Sequence, residues 1–314
     1  MGGRVVALSG GVGGAKLSDG LYRTLPPDAL SVIVNTGDDF WHLGLRICPD
    51  LDTVTYTLGG RANPQTGWGR EGETWAFLEA LTELGGETWF RLGDRDLALH
   101  VERTRRLKAG ATPTVVAGAF AGAFGIRAAI LPMCDETVAT RVRTDRGWLD
   151  FQDYFVRQRC EPTVVELCYA GIETCHATSA VETALDASDL EAIVICPSNP
   201  YLSVDPILAV PGIRARLEKT TAPVIAVSPI IAGQAVKGPA AKMMAELGVV
   251  ASAASVGRHY GSIIDGFVTE PGDAAEARSA LACPVKAMPT LMTTMADRCA
   301  LAHGVLAFAR DLRA

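Results

Sequence analysis

No stretch of these 314 residues approaches the roughly 18 consecutive apolar positions that a membrane-spanning helix requires, and no charged-then-apolar leader is visible. Neither a membrane span nor a secretory signal is therefore expected, and the chain reads as cytoplasmic. Runs of Lys and Arg are missing too. The densest, "RTRR" at Arg103–Arg106, lies within one helical pattern, is too short for a nucleic-acid stripe, and belongs to a chain of net charge -6. Nucleic acid is excluded as an expected partner. Eight cysteines are scattered without a C-x-x-C pair, several of them inside apolar runs, which fits reduced structural thiols. Internal repeats and low-complexity linkers are absent, so the chain reads as one compact unit carrying an insert.

What is present is a core-forming composition, 48% hydrophobic and 20% charged, over a length sufficient for one large or two smaller globular units. Short apolar runs of the buried parallel-strand type recur at Val5–Leu8, at "SVIVNT" from Ser31, "AAILPM" from Ala128, "AIVICPSNP" from Ala192 and "PVIAVSP" from Pro223. Helical patterns lie between most of them. This alternation predicts an α/β fold, a Rossmann-like doubly wound and mostly parallel sheet whose ligands sit beyond the carboxyl ends of the strands. Asn35, Thr36, Asp38, Asp39, Ser198, Asn199 and Ser228 are expected at those ends. Two segments break the alternation. "TVATRVRTDRGWLDFQDYFVRQ" predicts a β-hairpin turning at Asp145, Arg146 and Gly147. Residues 53–124 carry two strongly periodic helices and predict a helical insert over the active site, leaving 1–52 and 125–314 as a Rossmann-like nucleotide-binding core.

The first strand runs into Gly10, Gly11, Gly13 and Gly14, after which Leu17, Leu21 and Leu25 recur at helical spacing. Glycines at a strand-to-helix turn permit conformations closed to other residues and leave amides at a helix N-terminus, where an anion is favoured. A phosphate-bearing ligand is the natural candidate, although G-x-G-x-x-G does not fit and Lys16 lacks the glycine spacing of a P-loop. The loop by itself leaves open a tight turn that holds nothing.

Acids are the second concentration of chemistry. "NTGDDFWHLGLRICPDLDT" supplies Asp38, Asp39, Asp50 and Asp52 in two loops that converge if both lie at strand ends. A hard cation such as Mg2+ relieves the repulsion of such a cluster by bridging carboxylates to substrate phosphates. The alternative is a helix cap at Asp38 and turn acids at Asp50 and Asp52. Farther on, "RLGDRDLALHVERT" predicts that Asp94 caps its own helix, with Asp96, His100 and Arg103 along one face. That face reads either as a solvated surface or as part of a site. His100 has no second His or Cys at zinc spacing and is expected only to orient a neighbour.

These motifs, with "LSGGVGGAKL", "PSNPYLSVDPIL" and "SPIIAGQAVKGPA", resemble the 2-phospho-L-lactate transferase family of coenzyme F(420) biosynthesis over nearly the whole chain. The resemblance implies a Mg2+-dependent transfer in which the ribityl hydroxyl of the deazaflavin Fo attacks a guanosine diphosphate derivative and GMP leaves. That derivative is lactyl-2-diphospho-5'-guanosine or its enolpyruvyl counterpart, and which acyl donor is used, phosphoglycerate included, is left open. By the same resemblance Gly10, Gly11, Gly13, Gly14 and Lys16 meet the diphosphate, and Asp39 and Asp52 hold the metal. Asp52, Asp94 and Arg95 border the deazaflavin, with Trp68 and Trp75 available to stack on its ring, and Ser198, Asn199, Ser228, Gly238 and Pro239 frame the guanosine. A homo-oligomer, a dimer, is expected. A related branch of nucleotide-sugar-binding regulatory proteins shares the glycine loop but is not expected to carry the "DLDT" and "LGDRD" set, and stands as the non-catalytic alternative.

Overall fold

The computed structural model describes residues 3–235 and 239–313, so Gly238, expected near the guanosine, lies outside the described residues. The strands are β1 (Arg4–Ser9), β2 (Leu30–Val34), β3 (Phe40–His42), β4 (Leu45–Ile47), β5 (Ala129–Pro132), β6 (Ala139–Thr144), β7 (Gly147–Asp150), β8 (Val164–Ala170), β9 (Leu190–Ile195), β10 (Val224–Val227), β11 (Ile230–Ile231), β12 (Gln234–Ala235), β13 (Gly266–Thr269) and β14 (Val285–Ala287). Seven of them form the central sheet in the order β14-β13-β10-β9-β1-β2-β5, and every pairing in it is parallel. The doubly wound α/β architecture expected from the alternation is the one observed.

Both faces of this sheet are buried, and the pleat sorts its side chains. Val6, Leu8, Ile193, Ile195 and Val224 point into one apolar layer, while Val5, Ala7, Val194 and Ile225 point into the other. The second layer is closed by α1 (Gly11–Thr24), α2 (Pro49–Leu58) and α5 (Pro113–Ala123), and by the long α12 (Met295–Arg313). Between α2 and α5 stand α3 (Ala76–Glu83) and α4 (Asp94–Lys108). The remaining helices, α6 (Ser179–Leu185), α7 (Asp205–Ala209), α8 (Ile213–Lys219), α9 (Ala240–Glu246), α10 (Ala253–Tyr260) and α11 (Ala274–Ala280), follow later strands. Among the described residues, no helix is long and apolar enough to cross a membrane.

The insert boundary expected at residues 52 and 53 falls inside α2. Leu51, Val54 and Leu58 of α2, and Ala117 and Ala121 of α5, belong to the sheet's own apolar layer, so the part that stands off the core runs from about residue 59 to about residue 112. Periodicity marks these helices but does not say which surface their apolar stripe covers. The hairpin expected at Asp145–Gly147 forms between β6 and β7, with Gly147 at φ +105. It is extended by β8 into a three-stranded antiparallel sheet. Only Val164 of β8 is fully buried, which leaves little alternation to read.

A second, smaller hairpin decides where the acids go. β3 and β4 pair antiparallel across Leu43 and Gly44, both at positive φ (+52 and +74). Two successive left-handed residues are what a two-residue hairpin turn of the favoured twist requires, and a leucine bears strain there. The hairpin returns the chain so that Asp38 and Asp39, just before it, and Asp50 and Asp52, just after it, come to the same strand end.

Candidate active site

The order of the sheet reverses between β1 and β9: the chain winds outward through β2 and β5, then returns to β9 and winds the other way. Loops leaving those two strands face each other across the crevice in which α/β sheets bind ligands. They are the glycine loop after β1 and the "PSNP" segment after β9. Three glycines are demanded by close approach. A Cβ on Gly13 would stand 2.3 Å from the Pro197 carbonyl, one on Gly14 2.3 Å from Ser198 Oγ, and one on Gly10 2.6 Å from Asp50 Oδ2. Gly11 is different. It has φ +62 and open space around its missing side chain, so its backbone conformation rather than a neighbour favours glycine there.

Several residues assigned to the guanosine by resemblance also have structural duties here. Ser198 Oγ accepts from the Gly10 amide (3.1 Å) and donates to the Gly10 carbonyl (2.8 Å), clamping the loop. Asn199 Oδ1 accepts from the amides of Tyr201 and Leu202, and Ser228 Oγ closes a turn on Ile230. Pro239 immediately precedes α9. Lys16 Nζ donates to the Met292 carbonyl at 2.6 Å, tying α1 to the "LMT" segment.

The acids form two buried groups. Under the glycine loop, Asp50 accepts from the Gly11 amide (2.8 Å) and from Asn35 Nδ2 (3.0 Å), so one amide of the loop is already taken by a carboxylate. Burial pushes Asp50 up to about 6 despite those bonds, and it pushes the neighbouring Asp38 well above the usual carboxylate range. Asp38 is buried rather than capping a helix, and Asp50, instead of sitting in a solvated turn, is buried against the first amide of α1. Beside them, burial raises Asp39 to about 7, with the Arg46 guanidinium 3.5 Å away only partly offsetting it. Asp38 Oδ1 and Asp39 Oδ1 are buried without a hydrogen-bond partner among the described residues. Buried carboxyl oxygens left unpaired are costly, and a cation satisfies them.

The second group joins α2 to α4. Arg103, buried, grips Asp52 through both terminal nitrogens, one of them at 3.1 Å from Oδ2. The same guanidinium lies 3.1 Å from His100 Nδ1. Nε2 is 3.3 Å from Asp96 Oδ2, and the Tyr56 hydroxyl donates to Asp96 Oδ1 at 2.6 Å. One ligand atom from each of Asp52, Asp96 and His100 lies within 4.8 Å of the other two, an arrangement able to hold a metal ion. His100, expected merely to orient a neighbour, is thus a member of the candidate donor set. Asp39 feels the field of Asp52 but stands outside it. The sequence held one signal for this set, the spacing of Asp96, His100 and Arg103. Asp52 was marked separately, in the acid cluster, and nothing local joins it to Arg103 across 51 residues.

The insert roofs this group. Asp94 does not cap its own helix. Its carboxylate crosses to the N-terminus of α3 and accepts from the amides of Ala76 (3.1 Å) and Phe77 (3.0 Å) and from the Thr74 hydroxyl. Those bonds hold it below the usual carboxylate range. Glu73 returns the service, accepting from the amides of Arg95 (2.8 Å) and Asp96 (2.9 Å) at the start of α4. Two helices capped by each other's flanking acid are locked side by side. Between them opens a cleft lined by Trp68, Trp75, Arg70, Arg91, Glu73 and Asp96 among others, so its floor is a member of the metal-capable group. Arg91 lies over Trp75 at 4.2 Å. At the opposite side, Phe40 and His42 of the acid-carrying hairpin pack against Trp89 and Phe90, which fastens the insert to the acids.

A family model described as 2-phospho-L-lactate transferase CofD matches residues 5–289. Among curated proteins, the chain is 40% identical over 319 residues to a phosphoenolpyruvate transferase of Streptomyces griseus, covering 99% of this chain and 100% of that one. It is 41% identical over 321 residues to a phosphoenolpyruvate transferase of Kitasatospora aureofaciens, covering 99% of each. A phosphoenolpyruvate transferase of Mycobacterium ulcerans is 41% identical over 313 residues, covering 92% and 94%. Among solved structures, a UPF0052-family protein of Bacillus halodurans superposes with a TM-score of 0.56 at 15% identity, covering 91% of this chain and 88% of that one, a likeness of fold alone.

Proposed function

The chain belongs to the 2-phospho-L-lactate transferase CofD family, and on that premise we propose that it transfers a phosphoenolpyruvyl group from a guanosine diphosphate derivative to the deazaflavin Fo, releasing GMP, in coenzyme F(420) biosynthesis. The choice of the enolpyruvyl donor over the lactyl one follows the relatives' names and their 40–41% identity along almost the whole chain. The observation that carries the reading is the meeting, at the switch point of the sheet, of a glycine loop, buried carboxyls with unpaired oxygens, and an aromatic cleft floored by Asp96.

In this reading the ribityl hydroxyl of Fo attacks the phosphorus that bears the enolpyruvyl ester. The bond from that phosphorus to the bridging oxygen breaks, GMP departs with the electron pair, and the hydroxyl proton is released to solvent. Such transfers depend on positioning and charge neutralisation more than on covalent chemistry. Glycine-loop amides and Lys16 bind the diphosphate, and the cleft between Trp68 and Trp75 takes the ring. Asp39 and Asp52 would hold a divalent cation, Mg2+, beside Asp96 and His100, which with Asp52 form the metal-capable group. The unpaired, burial-raised carboxyls fit such an ion. Bound there, it neutralises charge that develops on the phosphoryl oxygens. Arg103 keeps Asp52 in position and lies against His100.

Incubation with Fo, Mg2+ and each candidate guanosine diphosphate donor, followed by mass measurement of the product, tests the proposal. The expected product is Fo carrying a phosphoenolpyruvyl diester, formed together with GMP. Binding of the nucleotide without turnover of any donor would favour the regulatory branch.

A further inference from the structure

Beyond the aromatic cleft, a second cleft is lined by Gly60, Arg61, Arg70, Glu71, Gly72 and Arg95. Arg70 is the wall common to both. Three guanidinium groups converge there in a chain whose net charge is -6. None of the three is ion-paired with a carboxylate among the described residues, whereas Arg103, Arg105 and Arg106 of the same insert each have one. Glu73, the acid that feels Arg70, spends both oxygens on backbone amides, and Glu71 gives Arg95 only its carbonyl (3.2 Å).

The arginines are held in place by neutral partners. Arg61 lies over the Phe124 ring at 5.0 Å, and Arg70 lies 5.7 Å from both the Phe124 and Tyr56 rings. Arg70 also donates to the Arg95 carbonyl (3.3 Å). Aromatic faces and carbonyls tolerate cations but do not neutralise them. Like charges gathered at one place and left unneutralised form a receptor for an anion.

Helix α2 measures the distance from the reacting centre. Eight residues separate Asp52 from Gly60, about 12 Å at helical rise, and Tyr56 midway reaches both Asp96 and Arg70. That length is too great for the acyl group, which stays next to the phosphate, and it matches a three-ring heterocycle with an extended ribityl arm. Fo carries an acidic phenolic hydroxyl on the ring remote from that arm's reacting end. We propose that Arg61, Arg70 and Arg95 form an anion subsite that takes this oxygen as the phenolate and selects the ionised acceptor over the neutral one. The inference rests on the transferase reading given above.

The phenol and phenolate of Fo absorb at different wavelengths, so the ionisation of free and protein-bound ligand can be followed by absorbance across pH. An opposite charge in contact lowers an acid's midpoint by one unit or more, so at least about a tenfold preference for phenolate is expected in the wild-type complex. Arg61→Gln and Arg95→Gln are each expected to shrink that shift, with thermal melts and guanosine nucleotide binding reporting an intact fold. The 8-O-methyl derivative of Fo, which cannot ionise, is expected to bind wild type and Arg61→Gln alike. A bound midpoint equal to that of free Fo, or equal losses for the methylated ligand and for Fo in Arg61→Gln, would overturn the subsite while leaving the transferase reading in place. If Fo does not bind the wild-type protein at all, both fall together.

Discussion

The two aspartates assigned to the metal differ in what holds them, and the difference predicts opposite behaviour. Asp39 is raised to about 7 by burial and has one oxygen unpaired. Replacing it with neutral Asn removes a penalty, so Asp39→Asn is expected to abolish transfer while the metal-free protein melts at or above the wild-type temperature. Asp52 is the partner of a buried guanidinium. Removing one member of a buried ion pair leaves the other uncompensated, typically at a cost on the order of 3–5 kcal/mol. Asp52→Asn should therefore lose both activity and several degrees of melting temperature, and mass-detected turnover beside thermal melts of the two variants would show it. Equal melting of both, or retained turnover in Asp39→Asn, would remove this account of the acids. At this scale the sequence was legible only in part. It marked Asp38, Asp39, Asp50 and Asp52 as a cluster because acids that close together are conspicuous, and it aligned Asp96, His100 and Arg103 because their spacing is helical. It could not join the two sets, since the contacts that do so, Arg103 to Asp52 across 51 residues and Tyr56 to Asp96 across 40, are long-range.

Elements show a similar division between local and long-range information. The glycine loop was readable as a strand-to-helix turn, but the four glycines have different reasons to be glycine. Gly11→Ala meets open space at φ +62. It is expected to cost about 1–2 kcal/mol of stability for the left-handed backbone and to weaken guanosine nucleotide binding by blocking close approach. Gly13→Ala drives a Cβ against the Pro197 carbonyl. It should destabilise the protein more, and weaken Fo and nucleotide together because it displaces the crevice. Calorimetry with each ligand distinguishes the two, and a selective nucleotide defect in Gly13→Ala would contradict this division. In the insert, a cap at Asp94 was correctly suspected as chemistry and wrongly placed as geometry. Capping preference is a property of a residue type, but the helix it serves is settled by packing, and here the amides it satisfies lie 17 and 18 residues back. Asp94→Asn retains one acceptor of two, so hydrogen exchange should speed up at the Ala76 and Phe77 amides, with the Arg95 and Asp96 amides, served by Glu73, following only if the helix pair opens as a unit.

For the molecule as a whole, the fold was the most legible level, because strands buried on both faces give continuous apolar runs and a parallel sheet needs the helices that separate them. The charge balance of the site was the least legible, since burial converts ordinary aspartates into proton-hungry ones and no sequence pattern reports burial of that kind. That balance has a consequence for stability. Burial raises the folded-state values of Asp39 to about 7 and Asp50 to about 6, above the ordinary value near 3.8, and raises Asp38 in the same direction. A carboxyl raised on folding binds its proton more tightly in the native state, so the metal-free protein gains stability as pH falls from about 7 toward 4, at most roughly 1.4 kcal/mol per unit for each such group. Below that window the sign reverses. Glu102, drawn down to about 2 by Arg105 and Arg106, contributes stability that is lost as it protonates. Metal-free stability is therefore expected to peak on the acid side of neutrality, at about pH 4. A divalent cation competes with those protons, so Mg2+ should raise the melting temperature clearly at about pH 8 and hardly at all at about pH 5. Melting curves with and without Mg2+ at both values test the linkage. Equal stabilisation at the two would mean that the cation does not bind where the burial-raised carboxyls lie.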